Sequence, residues 1–225
     1  MQWPLNVPAD QRILPDAPGE FGAVRSTDVH TGVDLYCQLG TEVVAMEDGE
    51  VVGIEAFTGA SVPDPDASPW WNDTVAILIK GDSGIILYGE VTPHTLWVFL
   101  GRKVKAGQVI GRIEAPVLKT NKGRPMLMLH LELLDRLPEG YTGVYRAPHG
   151  GISATSWWKS GAEKPAQCQD PTPLLLPLAT GKFDLRTFDG VWAIDPTAPR
   201  KDSDWWSHWG GDWKTGRAGA PVLRG

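Results

Sequence analysis

Apolar and polar residues alternate most regularly in Leu127-Met128-Leu129-His130-Leu131-Glu132-Leu133. Side chains of a strand point to opposite faces in turn, so this segment predicts a strand with leucines on one face and Met128, His130 and Glu132 on the other. Val33-Asp34-Leu35-Tyr36 has the same period, with Val33 and Leu35 entering the core and Asp34 and Tyr36 sharing the opposite face. Residues 74–80 and 84–91 predict a hairpin around Gly81-Asp82-Ser83-Gly84, and in its second arm Tyr88 and Glu90 fall on one face. Two or three further strands are expected within residues 21–57, with a hairpin turn at Glu47-Asp48-Gly49. Lys103 to Gly111 reads as a turn followed by a short strand. The pattern as a whole predicts a mostly β, antiparallel protein.

Between these elements lie segments without periodicity. Residues 1–20 are proline-rich and predict an extended N-terminal arm across the surface. Residues 57–73 form an irregular insertion carrying Trp70 and Trp71, which either cap the core or face a substrate. Residues 138–169 are glycine-rich and hold His149, Trp157 and Trp158 in expected loops. Residues 179–225 form an extension with Trp192, Trp205, Trp206, Trp209 and Trp213. Those tryptophans either anchor a protein partner or a sugar, or fold back onto their own domain. The domain proper is thus expected over residues 21–178.

Composition narrows the function classes. At 225 residues the chain suits one well-buried domain with an appendage, or two small domains, and 26 glycines, 19 prolines and 11 tryptophans suit a loop-rich β protein. A formal charge of -6 and the lack of any basic run argue against nucleic acid or an anionic membrane surface as the main partner. No stretch is long and apolar enough to span a bilayer, so no membrane insertion is expected. The first residues, MQWPLNVPADQRILPD, show neither a basic nor an apolar leader region. Of the two cysteines, Cys37 is expected as a small buried apolar residue rather than a ligand or nucleophile.

Candidate chemistry gathers at His30, Asp34 and His130, ligand types suited to a Zn²⁺ that keeps one position open. Ligand atoms lie about 2.0 to 2.2 Å from zinc, whereas four residues of strand span about 13 Å. The chain must therefore bend between His30 and Asp34, and Gly32 at the midpoint suits such a bend. The competing reading is a hydrogen-bonded structural histidine on a strand.

In its separated motifs the chain resembles the lysostaphin-type peptidoglycan endopeptidases, the family of LytM domains. The resemblance runs through residues 21–176: Phe21-Gly22-Ala23-Val24-Arg25, HTGVDLYCQLGTEVVAMEDGEVVGIE from His30, VKAGQVIGRIE from Val104, LHLEL from Leu129, and Asp170-Pro171-Thr172-Pro173-Leu174-Leu175. It implies a compact antiparallel β-sheet fold of LytM-like, duplicated-hybrid-motif type with a groove. It further implies Zn²⁺ held by His30, Asp34 and His130, and hydrolysis of peptide cross-bridges in peptidoglycan. VKAGQVIG also resembles segments of biotinyl and lipoyl domains, but no attachment lysine accompanies it.

The departures from the family are as informative. The usual H-x-H has Met128 in its first place, and the usual histidine after Y-x is Glu90. Both non-ligand histidines are absent while all three expected ligands remain. Three consequences stay open. Glu90 acts as general base, with Tyr88 or Arg25 steadying the oxyanion and His94 as a further compensating group; or Glu90 closes the site as a fourth zinc ligand; or the groove only binds, as in an inactive structural module. A wall-acting protein with no visible leader is expected in the cytoplasm until lysis, or in a phage particle.

Overall fold

The computed structural model describes residues 1–16, 19–25, 28–59, 71–117, 127–141 and 157–182. The expected loop histidine His149, Trp70 and the tail tryptophans Trp192, Trp205, Trp206, Trp209 and Trp213 lie outside the described residues. Among the described residues eleven strands follow in chain order: β1 (Ile13–Leu14), β2 (Val33–Tyr36), β3 (Thr41–Val44), β4 (Gly49–Thr58), β5 (Thr74–Gly81), β6 (Gly84–Val91), β7 (Lys103–Val104), β8 (Val109–Ile113), β9 (Met128–Leu134), β10 (Cys168–Gln169) and β11 (Gly181–Lys182). A single helical turn, α1 (Thr172–Leu175), follows β10. Among the described residues no helix is long and apolar enough to cross a membrane.

The main sheet runs β10-β9-β6-β5-β4-β7 and is antiparallel throughout. Strand β2 pairs with the first half of β9 on the edge facing away from β6, and β10 takes the second half of that edge. Strands β3 and β8 form a separate antiparallel pair, and β1 pairs in parallel with β11. The alternation expected for β9 holds: Leu127, Leu129 and Leu131 enter the main core with Val33, Leu35, Ile77, Ile79 and Ile86. Val43, Ile110 and Ile113 of the β3–β8 pair join the same core, so that pair covers one face of the sheet. The opposite face carries a smaller apolar cluster of Phe57, Ala76, Leu78, Ile85, Leu87 and Leu134. Cys37 is buried in the main core as expected, and both cysteines are free.

Three sequence expectations meet a different outcome. The turn at Glu47-Asp48-Gly49 does not close a hairpin: β3 before it pairs with β8, and β4 after it pairs with β5 and β7. Gly49 is required there for closeness rather than for a positive φ, because a Cβ would lie 2.6 Å from the Lys80 carbonyl oxygen. The segment expected as a surface arm sends Trp3, Leu5 and Leu14 into the main core. Its backbone follows β3, with Val44 N–H donating to Pro4 O and Asn6 N–H to Glu42 O. Apolar residues at irregular spacing among prolines left no period to read.

The third outcome concerns β6. Ile77 pairs with Tyr88 and Val75 with Val91, so Gly89 and Glu90 together oppose the single residue Ala76. Such a β-bulge re-aims the side chains on one strand. Tyr88 and Val91 both point into the main core, and Glu90 turns to the other face. Tyr88 is therefore corrected from a groove residue to a core one: it is fully buried and its hydroxyl accepts the Met46 N–H at 2.8 Å. Replacing Tyr88 by Phe leaves that buried N–H unsatisfied and should cost about 1 to 3 kcal/mol. Urea denaturation should show this loss while metal affinity stays at the wild-type value; a loss of metal binding instead would return Tyr88 to the site.

Candidate metal centre

Strand pairing assembles the site. Asp34 on β2 lies directly opposite His130 on β9, and Gly89 on β6 lies opposite His130 from the other side. Cross-strand partners have Cβ atoms about 4.5 to 5.5 Å apart, so the acid and the imidazole meet on one face. His30 reaches the same point from the turn before β2. Gly32 makes that approach feasible, since a Cβ there would lie 2.4 Å from the Leu131 carbonyl oxygen and 2.9 Å from His130 Nε2. The need is for close passage of the backbone over β9; the bend expected from sequence is there, but the glycine serves the contact.

The three expected ligands converge. His30 Nε2 lies 3.1 Å from His130 Nδ1 and 3.2 Å from Asp34 Oδ1, and His130 Nδ1 lies 3.0 Å from Asp34 Oδ1. Each far atom is held elsewhere. His30 Nδ1 donates to the Glu20 carbonyl oxygen at 2.9 Å, and His130 Nε2 donates to Glu132 Oε1 at 2.9 Å. Asp34 Oδ2 accepts from Arg25 Nη2 at 2.8 Å. With their other nitrogens donating, both imidazoles turn their near nitrogens to the space also faced by Asp34 Oδ1, and each offers a lone pair there when neutral. Three acceptors of this kind suit one cation. A tetrahedral zinc with ligand distances near 2.1 Å separates its ligand atoms by about 3.4 Å, close to the observed triangle. These three residues are the group that can hold a metal ion among the described residues.

The electrostatics agree with a slot for positive charge. Burial disfavours charge on His30, and with Arg25 nearby it lowers the imidazole to about 4. For His130, burial acts downward but is outweighed by hydrogen bonds to the Asp34 and Glu132 carboxylates, which push it up to about 10. Burial of Asp34 likewise acts against its charge, yet the charges and hydrogen bonds of His30, His130 and Arg25 hold it well below the usual carboxylate range. Without metal the cluster keeps a proton on His130, and a metal would take that place.

Glu90 stands beside the cluster but outside the three-residue group. Its Oε2 accepts from Thr74 Oγ1 at 3.0 Å and Thr58 Oγ1 at 3.3 Å. At φ 65° it is the one non-glycine described residue in the left-handed region, a conformation costing of order 1 to 3 kcal/mol that tends to occur at functional sites. The Phe57 ring packs where a Cβ on Gly89 would sit and lies 5.3 Å from the His130 ring. Placement outside the group does not fit the closed, four-ligand alternative for Glu90.

The remaining expected residues are placed as follows. Arg25 reaches the cluster, but its guanidinium is engaged by Asp34 and lies 3.9 Å from Asp28, so it steadies a ligand. His94 is exposed and paired with Glu114. Tyr88 points away into the core. Sequence reasoning left Glu132 without a role, although the two-residue spacing from His130 on the same strand face was the signal. It also missed Thr31, whose hydroxyl donates to Glu132 Oε1 at 2.6 Å, and the pair Thr58 and Thr74.

The sequence profile of Peptidase family M23 matches residues 28–137, a span that includes His30, Asp34, Glu90, His130 and Glu132. Among solved structures, the chain is similar to the catalytic domain of the antimicrobial peptidase lysostaphin from Staphylococcus simulans, at 20% identity over 66% of this chain and 80% of that one, with a TM-score of 0.37. It is similar also to the catalytic domain of the prophage-encoded M23 protein EnpA from Enterococcus faecalis, at 25% identity over 57% of this chain and 81% of that one, with a TM-score of 0.34. A zinc-containing peptidase from Vibrio cholerae shares 20% identity over 57% of this chain but only 37% of its own length, with a TM-score of 0.33. No curated protein matches the chain.

Burial raises the Glu90 carboxyl to about 7, although its hydrogen bond from Thr74 and the charge of His130 act the other way. A carboxyl raised on folding binds its proton more tightly in the folded state. Its charge therefore works against the fold, with no cost below the unfolded value near 4.5 and the full cost above about 7. In chelator, Glu90→Gln should gain stability over wild type progressively between those values, reaching about 3 kcal/mol above them. Thermal melts of both proteins from pH 4 to 8 test this, and a difference that does not change with pH would contradict it.

Proposed function

We propose, from the match of residues 28–137 to Peptidase family M23, that the chain is a zinc-dependent hydrolase of peptide bonds in cell-wall peptidoglycan. The observation that carries the reading is the triangle of His30 Nε2, His130 Nδ1 and Asp34 Oδ1, three buried acceptors aimed at one point. Bound there, Zn²⁺ would supply a Lewis acid that polarises a carbonyl oxygen and activates water.

The protein's own groups supply the proton transfer. Glu90, raised to about 7, is matched to accept a proton near neutral pH and release it to a leaving amine. Thr58 and Thr74 both hold Oε2, which leaves Oε1 as the oxygen that takes the proton. Arg25 orients Asp34 by donating to its Oδ2 rather than meeting the oxyanion. Met128 has no proton to offer an oxyanion, and loss of one such donor typically costs about 10² to 10³ in rate. The reading is therefore of a slow peptidase.

That same methionine supports a second reading, a domain that retains metal and groove and only binds its peptide. One experiment separates them. Zinc content by elemental analysis, for wild type and His130→Ala, is paired with dye release from purified peptidoglycan. The hydrolase predicts one zinc per chain, lost in the variant, with chelator-sensitive release that falls by about 10² or more in a Glu90→Gln variant that keeps its zinc. Zinc without release favours the binding module, unchanged turnover in Glu90→Gln removes Glu90 as base, and absence of zinc sinks the metal reading.

A further inference from the structure

Glu132 is a fully buried carboxylate on the metal-facing side of β9, two residues beyond His130. Burying such a group costs several kcal/mol unless it is paired and hydrogen-bonded. Its Oε1 receives two donors, the Thr31 hydroxyl at 2.6 Å and His130 Nε2 at 2.9 Å. Thr31 is the residue after His30, so this carboxylate ties the segment bearing one histidine of the cluster to the ring of the other. The pair is closely fitted: a Cβ on Gly32 would lie 3.0 Å from Glu132 Cγ and 2.9 Å from His130 Nε2. The Thr31 carbonyl in turn accepts from the Cys168 thiol at 3.4 Å, which anchors the threonine from β10.

We propose that Glu132, held in place by Thr31, is the positioning residue that determines which nitrogen of His130 faces the metal, and thereby sets metal affinity. The argument is one of donors and acceptors. A carboxylate oxygen accepts, so Nε2 keeps its hydrogen, and Nδ1, facing Asp34 and His30, is the nitrogen that gives up its proton when a metal binds. Were the carboxylate absent, the imidazole would be free to place its hydrogen on Nδ1, where a metal cannot bind. Thr31 keeps the carboxylate from rotating away, because both of its partners address the same oxygen. The hydrogen bond also makes the imidazole a stronger donor to a metal, as carboxylate partners of ligating histidines do.

This inference rests on the metal reading of the cluster, and the test separates the two. Zinc affinity is measured by competition with a chromophoric chelator for wild type, Glu132→Gln, Thr31→Val and Thr31→Ser, with thermal melts of the metal-free proteins as a folding control. Glu132→Gln and Thr31→Val should each bind zinc about 10 to 100 times more weakly, while Thr31→Ser, which keeps the hydroxyl, should remain near wild type. If Glu132→Gln does not fold, the Thr31 pair alone decides. Wild-type affinity in Thr31→Val, or equal losses in Thr31→Val and Thr31→Ser, would overturn the positioning role; failure of wild type itself to bind zinc would overturn the metal reading and this inference with it.

Discussion

Three buried acceptor atoms lie within 3.0 to 3.2 Å of one another, and that crowding is the constraint around which the rest of the structure is arranged. Lone pairs this close repel unless a positive charge lies between them, and burial magnifies the effect by removing the screening of water. The protein meets the constraint by securing the far side of every group: Glu20 O on His30, Glu132 on His130, Arg25 on Asp34. Each of these partners is a donor or acceptor matched to the atom it holds. The site is thus organised from outside inward, each near atom being fixed by what holds the far side of its group.

The bulge on β6 answers a second constraint. A carboxylate useful to a metal site must stand near the cluster without becoming a ligand, and regular alternation would have sent Glu90 into the apolar core beside Tyr88. Inserting one extra residue opposite Ala76 flips Glu90 to the cluster side and leaves Tyr88 and Val91 in the core. The cost is a left-handed φ at Glu90, offset in part by the hydroxyls of Thr58 and Thr74. Phe57, seated over Gly89 and against the His130 ring, keeps that flank of the cluster apolar.

The leucine side of β9, the inward valine and leucine of β2 and the β5–β6 hairpin are legible in the sequence. These features are local, because a strand's period of two assigns each side chain to a face without reference to partners. The histidines and the aspartate were legible for another reason: ligand types in an ordered series of motifs are chemically specific even when far apart in the chain. Where the reading went astray, non-local pairing was responsible. Asp48-Gly49 carries a hairpin signal, but β3 found a better partner in β8 than in β4. Trp3, Leu5 and Leu14 have no period; the first two are buried where their segment lies along the edge of β3, and Leu14 where β1 pairs with β11.

What the amino-acid order determined by itself is therefore the face each strand residue takes and the set of side chains able to bind a metal. Tertiary structure alone decided which oxygen and nitrogen atoms of those side chains meet, that Glu132 stands behind His130, and that Glu90 rather than Tyr88 turns toward the cluster. The physical reason is register. Facing is a property of one strand, whereas the pairing of Asp34 with His130, and the single extra residue in β6, exist only once β2, β9, β6 and β5 have been laid side by side.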